Sequence, residues 1–333
     1  MPYFKPYIVT IVGFNGALAS AITGALDIFS FAGVSWQRLN QQRVQQRFKV
    51  QIASMHGLPF ECTNKLTLQA HCDIASLNET DILLIPTVGA SIEKVLNENE
   101  QLCTHLKRLA NYDCDVASNC SGAFLLAKAG LLENKTATTH WGYETQLREM
   151  FPKVKLAIDK LVTQDERIYC AGGGLAFHHL CLMLIERYCG RDIANQVAKA
   201  HVIDTHRHNQ SAYTNLRPLK QHNQAHIIKV QEYIEDNFAK RLTINDLAAL
   251  ANITPRTLNR HFQKYVNMRP IEYIQSVRVE QAKRLLESGF TNTQSIASEI
   301  GYEDITSFAK LFKNLTGLTP SQYRAKFHRE FDI

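Results

Sequence analysis

Hydrophobic residues along residues 7–203 follow two alternating spacings. Short apolar runs such as Tyr7–Val12 and Asp81–Pro86 predict buried strands, and the second run is typical of a parallel sheet. Between these runs, apolar residues recur at helical spacing, as in Ala17–Ala32 and Glu100–Ala110. The other predicted elements are strands at Phe48–Ala53 and Cys114–Ser118, helices at Gly122–Ala129, Leu175–Tyr188 and Arg191–Val202, and a hairpin of Leu161–Thr163 with Arg167–Ala171 that turns at Gln164–Glu166. This alternation favours a layered α/β domain with a largely parallel sheet.

Residues 223–330 carry only the helical spacing. The predicted helices are His226–Asn237, Ile244–Ala251, Pro255–Val266, Pro270–Ser288, Thr293–Ile300, Asp304–Leu315 and Pro320–His328. Thr243 and Thr254 suit helix N-caps, and the three prolines suit first-turn positions. Residues 204–222 are rich in His, Asn, Gln and Arg and contain Pro218, which predicts an interdomain linker. The predicted organisation is a first domain over residues 1–203, a linker over 204–222 and an all-α domain over 223–333.

The all-α region contains an internal repeat. The pattern Phe-x7-Pro-x2-Tyr occurs twice, beginning at Phe262 and at Phe312. Asn267 and Gly317 occupy matching places after the helices that contain these two residues, and both residue types tolerate the left-handed conformation that ends a helix. A unit of about fifty residues is too short to bury a core alone, so two similar helical modules are expected to pack together.

Each module has the layout of a helix-turn-helix, in which the second helix reaches the bases of DNA. Leu258 and Phe262 predict the inward face of the first recognition helix, and Phe308 and Phe312 predict that of the second. The outward candidates for DNA contact are Arg256, Thr257, Asn259 and Arg260 in the first module and Thr306, Ser307, Lys310 and Lys313 in the second. Arg and Asn read base edges, whereas Ser, Thr and Lys more often position phosphates. The connecting helix, about 28 Å long, approaches the roughly 34 Å between successive major-groove faces.

Residues 223–330 resemble the DNA-binding domain of AraC/XylS-family transcription regulators. The resemblance rests mainly on the second module, Ser295-Ile296-Ala297-x3-Gly301-Tyr302-x5-Phe308-x2-Leu311-Phe312-Lys313-x3-Gly317-x2-Pro320-x2-Tyr323-Arg324. The first module departs from the family pattern in having Asn267 where Gly is usual. The resemblance implies double-stranded promoter DNA as a partner, and RNA polymerase as well if the protein is an activator.

The sharpest candidate site in the first domain is the strand-to-helix turn Ser118–Gly122. It resembles the nucleophile elbow of class I glutamine amidotransferase-like folds of the PfpI group, where such a turn presents a thiol, here Cys120. The segment that contains His140 and Trp141 resembles a His-bearing motif of that superfamily. Ser121 stands where many PfpI-type hydrolases carry His, and Ala19–Ile22 lacks the carboxylate of some relatives. The pair Cys120 and His140 is therefore interpreted as a degenerate elbow, without catalysis.

The two halves together resemble GlxA-type regulators, with a PfpI-like layered parallel-sheet domain followed by an all-α domain with two helix-turn-helix motifs. The resemblance implies a sensor pocket for an unknown small-molecule effector, and a homodimer. Loops at the carboxyl ends of parallel strands supply the pocket candidates. These loops are Phe14–Gly16, Val88–Ala90, Cys120 with Ser121, His140 with Trp141, and Gly172–Gly174, and the central candidates are Asn15, Gly89, Cys120, Ser121, His140, Trp141 and Gly173.

Composition changes this picture little. The chain of 333 residues has a formal net charge of +6. Residues 220–333 hold 16 Lys and Arg against 12 Asp and Glu, a mild basic bias that suits nucleic acid. The eight cysteines form no Cys-x2-Cys pair, which argues against a zinc ribbon, and no metal or cofactor is predicted. The scattered histidines His201, His206, His208, His222 and His226 are interpreted as polar linker residues. Without a secretory signal or a membrane-spanning run, a cytoplasmic protein with no membrane partner is expected.

These observations predict a sequence-specific DNA-binding transcription regulator, controlled by a small metabolite bound to the N-terminal domain, and not an enzyme. The alternative is a Cys-dependent hydrolase or amidase fused to a DNA-binding domain, with His140 as the base for Cys120.

Overall fold

The computed structural model describes residues 5–205, 209–216, 220, 222–289 and 292–328. The chain divides into two compact units, Met1–Gln210 and Ser211–Ile333. The predicted linker positions His206, His208 and Pro218 lie outside the described residues. No helix in the described ranges combines the length and the apolar character that crossing a bilayer requires.

The first unit is an α/β domain, as predicted. Its strands are β1 Tyr7–Val12, β2 Phe48–Ser54, β3 Phe60–Glu61, β4 Thr67–Leu68, β5 Cys72–Asp73, β6 Ile82–Ile85, β7 Asp115–Asn119, β8 Thr136–Ala137, β9 Lys155–Leu156, β10 Val162–Asp165 and β11 Ile168–Ala171. Its helices are α1 Ala19–Ser30, α2 Ser35–Leu39, α3 Ile92–Glu98, α4 Glu100–Ala110, α5 Ala123–Lys128, α6 Glu144–Met150, α7 Phe177–Cys189 and α8 Arg191–Ala200.

Seven strands form the main sheet in the order β10-β11-β7-β6-β1-β2-β5. All neighbouring pairs are parallel except β10 with β11, which are antiparallel. Strands β6 and β7 are buried along their whole length, because side chains on both faces of the sheet pack into the core. This explains why β6 was visible in the sequence as a continuous apolar run.

The hairpin of β10 and β11 turns at a different place from the one predicted. Asp165 pairs with Ile168, so the turn consists of Glu166 and Arg167 and not of Gln164–Glu166. Glu166 takes a φ of +54°, as the first central residue of some two-residue hairpin turns does. The two-residue strands and the helices α2, α3 and α6 were not predicted.

The second unit is all-α, as predicted, and the described residues contain each of the seven expected helices within two residues of its predicted ends. They are α9 Ala225–Asn237, α10 Ile244–Leu250, α11 Pro255–Tyr265, α12 Pro270–Glu287, α13 Thr293–Glu299, α14 Ile305–Thr316 and α15 Pro320–Phe327. Thr243 and Thr254 cap α10 and α11 through their hydroxyl oxygens, as expected. Asn267 and Gly317 both have positive φ values, as expected for residues that end helices.

Helix α12 contributes to both hydrophobic clusters of the second unit. Its first half places Tyr273 and Val277 against Phe262 of the first module. Its second half places Leu286 against Phe312 of the second module. One helix is thus shared by both cores, which makes it the structural spacer between the modules.

Candidate DNA-binding surface and ligand cavity

The first recognition helix, α11, presents a polar face because its apolar residues are used inside. Leu258 and Phe262 are fully buried, which leaves Arg256, Asn259 and Arg260 exposed. Neither guanidinium forms an ion pair or a hydrogen bond with another described residue. Asn259 donates a hydrogen bond from Nδ2 to the carbonyl oxygen of Pro255 at 3.0 Å. An arginine pair on this face is therefore available to an external acceptor.

The candidate Thr257 is held more tightly than its neighbours on α11. It is half-buried, its backbone N–H donates to the hydroxyl oxygen of Thr254 at 3.2 Å, and the two hydroxyls are 3.0 Å apart. Thr257 is therefore part of the N-terminal cap of α11 as well as a candidate for DNA contact.

The second recognition helix, α14, differs from α11 at its start. Asp304 accepts hydrogen bonds from the hydroxyl of Ser307 at 2.6 Å and from the backbone N–H groups of Ser307 and Thr306 at 2.8 and 3.0 Å. The hydroxyl and backbone donors of Ser307 and the N–H of Thr306 hold the pKa of Asp304 below its ordinary value. Thr306, Ser307, Lys310 and Lys313 are all exposed. Lys310 and Lys313 thus lie about 1.7 and 2.5 helical turns after the capping carboxylate of Asp304.

Arg278 of α12 joins the two modules. Its guanidinium donates to the carbonyl oxygens of Phe238 at 2.7 Å, Lys240 at 2.9 Å and Gly301 at 3.0 Å, and it lies over the ring of Tyr302. Gly301 belongs to the turn before the second recognition helix, and the other two carbonyls belong to the loop after α9. Three charge-assisted bonds therefore hold the second turn against the first module.

Each module also carries the same tyrosine-to-glutamate bond. Tyr273 donates to Glu235 at 2.5 Å, and Tyr323 donates to Glu287 at 2.6 Å. Each tyrosine hydroxyl fastens the helix after a recognition helix to the helix that precedes the module. Neither these bonds nor the role of Arg278 was predicted, because partners 23 to 40 residues apart leave no periodic signal.

In the first unit, the elbow after β7 has the strained backbone that the resemblance implies. Cys120 has a φ of +55° and is buried. The hydroxyl of Thr139 donates to the Cys120 carbonyl oxygen at 2.8 Å, and that of Ser121 donates to the carbonyl oxygen of Val88 at 2.8 Å. A side chain at Gly122 would begin 2.6 Å from the carbonyl oxygen of Pro86, so only glycine fits there. These contacts position the thiol at the end of the strand.

His140 follows Thr139, and its ring is held by the backbone of Gly142. Its Nδ1 accepts a hydrogen bond from the N–H of Gly142 at 3.0 Å, and burial lowers the pKa of His140. A neutral ring with Nδ1 as an acceptor carries its proton on Nε2. The ring edge also lies against Gly173, where a side chain would begin 2.0 Å from the His140 Cδ2 atom.

A cavity of about 370 Å³ opens beside the elbow. Its lining residues are Leu18, Thr87, Val88, Gly89, Cys120, Ser121, His140, Gly142, Tyr143 and Gly174. The structure therefore brings together six of the predicted pocket residues, namely Val88, Gly89, Cys120, Ser121, His140 and Gly174. Asn15, Trp141 and Gly173 do not line it; Asn15 instead accepts a hydrogen bond from the N–H of Glu61 at 2.9 Å. The lining residues that were not predicted are mostly sequence neighbours of those that were.

Comparison with known proteins adds the family of each unit. Residues 32–187 match the DJ-1/PfpI family, and residues 247–326 match a model described as a helix-turn-helix domain. The chain joins a DJ-1/PfpI-family domain to an AraC-type helix-turn-helix domain. Both parts of the predicted architecture are thus confirmed.

The curated relatives of this DJ-1/PfpI and helix-turn-helix chain are named as regulators. It is 27% identical to the HTH-type transcriptional regulator GbdR of Pseudomonas aeruginosa, over 66% of this chain and 60% of that protein. It is 28% identical to the HTH-type transcriptional regulator GlxA of Rhizobium meliloti, over 67% of this chain and 69% of that protein. The match thus spans about 60% of the length of the first of these relatives.

A solved structure supports the α/β fold of the DJ-1/PfpI-family unit. A putative transcriptional regulator from Vibrio parahaemolyticus covers 60% of this chain and 100% of its own, at 21% identity and a TM-score of 0.51.

The cavity of the DJ-1/PfpI-family unit is polar without being strongly charged. Among the described residues, its lining includes Cys120, His140 and the hydroxyl-bearing Thr87, Ser121 and Tyr143, but no Asp, Glu, Lys or Arg. Thr87 accepts a hydrogen bond from Asn119 at 2.7 Å, which leaves its hydroxyl proton for another acceptor. The arrangement can bind a small polar molecule through hydrogen bonds. It offers no carboxylate to orient an attacking thiol or its base.

Proposed function

We propose that this protein is a sequence-specific DNA-binding transcription regulator whose DJ-1/PfpI-family unit binds a small metabolite. The observation that carries the proposal is the pair of exposed recognition helices that Arg278 and helix α12 hold in one unit. Helix α12 has 18 residues and a length of about 27 Å at 1.5 Å per residue. That length is suited to placing the two helices in successive major-groove segments, roughly 34 Å apart.

The two recognition helices have different proposed roles. Arg256 and Arg260 are exposed and unpaired among the described residues, which suits bidentate bonds to guanine. Asn259 can join them once its amide leaves the carbonyl oxygen of Pro255. In the second helix, Lys310 and Lys313 with Thr306 suit phosphate contacts, while Ser307 is already bonded to Asp304. The first module therefore contributes most of the specificity.

The effector is proposed to occupy the cavity beside Cys120. Neutral His140 offers an Nε2 proton, and Thr87 offers a hydroxyl proton, so acceptor groups on the ligand are favoured. Catalysis is not proposed. The cavity lining lacks a carboxylate, and Nδ1 of His140 is occupied by the N–H of Gly142. A homodimer accompanies this proposal as an expectation of the resemblance, and a cytoplasmic location accompanies it as an expectation from the sequence.

Binding to a duplex from the gene's own upstream region tests the proposed DNA recognition. By fluorescence anisotropy, the full chain should bind this duplex more tightly than a scrambled duplex at the same salt concentration. Arg260→Ala should weaken binding to the upstream duplex by about 1–3 kcal/mol and binding to the scrambled duplex much less.

The matched control is Arg284→Ala, an exposed arginine of α12 outside both recognition helices. It should leave the preference between the two duplexes unchanged. Equal affinity of the wild-type protein for both duplexes would contradict sequence-specific recognition.

A further inference from the structure

Gln210 ends the first unit with a buried side chain that makes several hydrogen bonds. It is 1% exposed. Its Nε2 donates to the carbonyl oxygens of Ile158 at 2.7 Å and Thr139 at 2.8 Å, and its Oε1 accepts from the N–H of Gly173 at 3.1 Å. A side chain at Gly172 would begin 2.7 Å from Oε1, so glycine is needed there for Gln210 to fit. The amide thus joins three separate segments of the unit.

Two of those segments form the wall of the ligand cavity. Thr139 holds the carbonyl of Cys120 with its hydroxyl and is followed by His140. Gly173 packs against the His140 ring and is followed by Gly174, which lines the cavity with His140 and Cys120. A ligand that displaces His140 or Gly174 must therefore alter the groups to which Gln210 is bonded.

The residues directly after Gln210 belong to the second unit and are bound to its helices. Ala212 is buried in the cluster that contains Phe308 and Phe312. The buried Lys283 of α12 donates from Nζ to the carbonyl oxygen of Thr214 at 2.6 Å and to Glu280 at 2.8 Å. Glu280 also accepts from the N–H of Leu216 at 2.9 Å. The segment Ser211–Leu216 is thus fastened to the spacer helix and packed on the second module.

We propose that Gln210 is the positioning residue through which the ligand cavity and the DNA-binding unit affect each other. Between Gln210 and Ala212 the backbone has one intervening residue, so a shift of the Gln210 amide passes to a segment that is fixed at its other end. Thermodynamic linkage then requires that bound DNA changes the affinity of the cavity for its ligand by the same factor as the ligand changes the affinity for DNA. The inference rests on the proposed DNA binding, and it names the route by which that function is regulated.

Hydrogen exchange on the full chain tests the route without knowledge of the effector, because the DNA duplex itself is the probe. The peptide that contains Gly173 reports directly on the state of the Gln210 side chain, since the N–H of Gly173 donates to Gln210 Oε1. In the wild-type protein, bound upstream duplex should change exchange in this peptide and around His140 by about fivefold or more, the usual size of allosteric coupling. In Gln210→Met the change on adding DNA should vanish.

A second variant keeps both networks of side chains intact. A four-residue Gly-Ser insertion between Gln210 and Ser211 lengthens the connection alone, and it too should abolish the DNA-dependent change while DNA binding persists. This insertion still tests the route through Gln210 if the Gln210→Met variant does not fold. The matched control is Gln37→Met, which removes another buried glutamine of the same unit, bonded to Gln196 at 2.8 Å, and should retain the change.

The outcomes separate the two proposals. Failure of the wild-type protein to bind the upstream duplex would overturn the proposed function. Binding without any change in exchange at Gly173 or His140 would overturn the coupling and leave DNA recognition intact. A DNA-dependent change that survives the insertion would also overturn the route through Gln210.

Discussion

Cys120 has a left-handed backbone at the end of a central strand, a conformation that costs a non-glycine residue on the order of 1–3 kcal/mol. The neighbouring bonds of Thr139 and Ser121 hold it in place. In an enzyme such strain serves to expose a nucleophile, but here Cys120 is 5% exposed and none of the described residues that line its cavity carries a carboxylate. The strained turn therefore serves to shape a binding cavity in the function we propose.

His140 should make the stability of the first unit depend on pH. Burial lowers its pKa below the ordinary 6.5, and the N–H of Gly142 requires an unprotonated Nδ1. The folded chain therefore binds fewer protons than the unfolded chain just below pH 6.5. The contribution of neutral His140 to the free energy of unfolding is complete above pH 6.5 and is lost as the pH falls through the lowered pKa of the folded state.

The measurement is the thermal unfolding midpoint across this range for the wild type and for His140→Asn, whose side-chain oxygen can still accept from Gly142. The variant should lose less stability on acidification than the wild type. His56→Asn, at an exposed histidine of the same unit, should follow the wild-type curve. Identical curves for the wild type and His140→Asn would show that His140 does not cause the pH dependence of stability.

At the scale of elements, the repeat produces two similar modules that differ at their turns. Asn252 has a φ of +53° in the first turn, and Gly301 has a φ of +84° in the second. Only the second turn requires glycine for space, since a side chain there would begin 2.3 Å from the carbonyl oxygen of Ala239. That close approach allows Arg278 to reach both modules, so the contact between the modules depends on the difference between the copies.

Arg278→Lys should loosen the two modules without changing the charge. A lysine ammonium cannot reproduce the planar fork that bonds three carbonyl oxygens. Loss of these charged bonds should lower the free energy of unfolding by about 1.5–3 kcal/mol. Urea denaturation measures the free energy of unfolding. Binding to the upstream duplex should also weaken, because the spacing of the two recognition helices is no longer fixed.

Arg284→Lys on the same helix is the matched control and should change neither quantity, since its side chain is exposed. If Arg278→Lys kept both the wild-type stability and the wild-type affinity, Arg278 would not hold the modules together.

At the scale of the whole molecule, a DJ-1/PfpI-family unit and a helix-turn-helix unit share one chain. A regulator needs the first unit to bind a small metabolite and the second unit to change its binding to DNA in response. A tethered enzyme instead needs the thiol of Cys120 to react. The lining of the cavity and the occupied Nδ1 of His140 favour binding over reaction. The two functions therefore differ in whether the Cys120 sulfur must be chemically reactive.

Cys120→Ser should therefore leave regulation of a reporter gene behind the upstream region unchanged. The hydroxyl keeps the size and polarity of the cavity wall but removes the thiol nucleophile. Cys62→Ser, at another buried free cysteine of the same unit, controls for loss of packing. Loss of regulation in Cys120→Ser alone would favour thiol chemistry and the hydrolase alternative.

Periodicity and local chemistry were enough to determine most of the longer elements. The seven helices of the second unit, the caps at Thr243 and Thr254 and the elbow at Cys120 were predicted, because each depends on residues within about one helical turn. Inward positions such as Leu258 and Phe262 followed from spacing alone, and both are fully buried. The turn of the hairpin at Glu166 was misplaced, because pairing register is a property of two strands.

Only the tertiary structure decided which distant groups meet. Arg278 bonds carbonyls 23 to 40 residues away, and the amide of Gln210 reaches Thr139, 71 residues earlier. Gln210 stood in a polar segment that composition predicted to be a linker, yet its side chain is buried in the first unit. Buried polar groups must be bonded, but the identity of their partners depends on how the chain folds back on itself. The sequence determined two families of domain, and the fold determined how each one is held together.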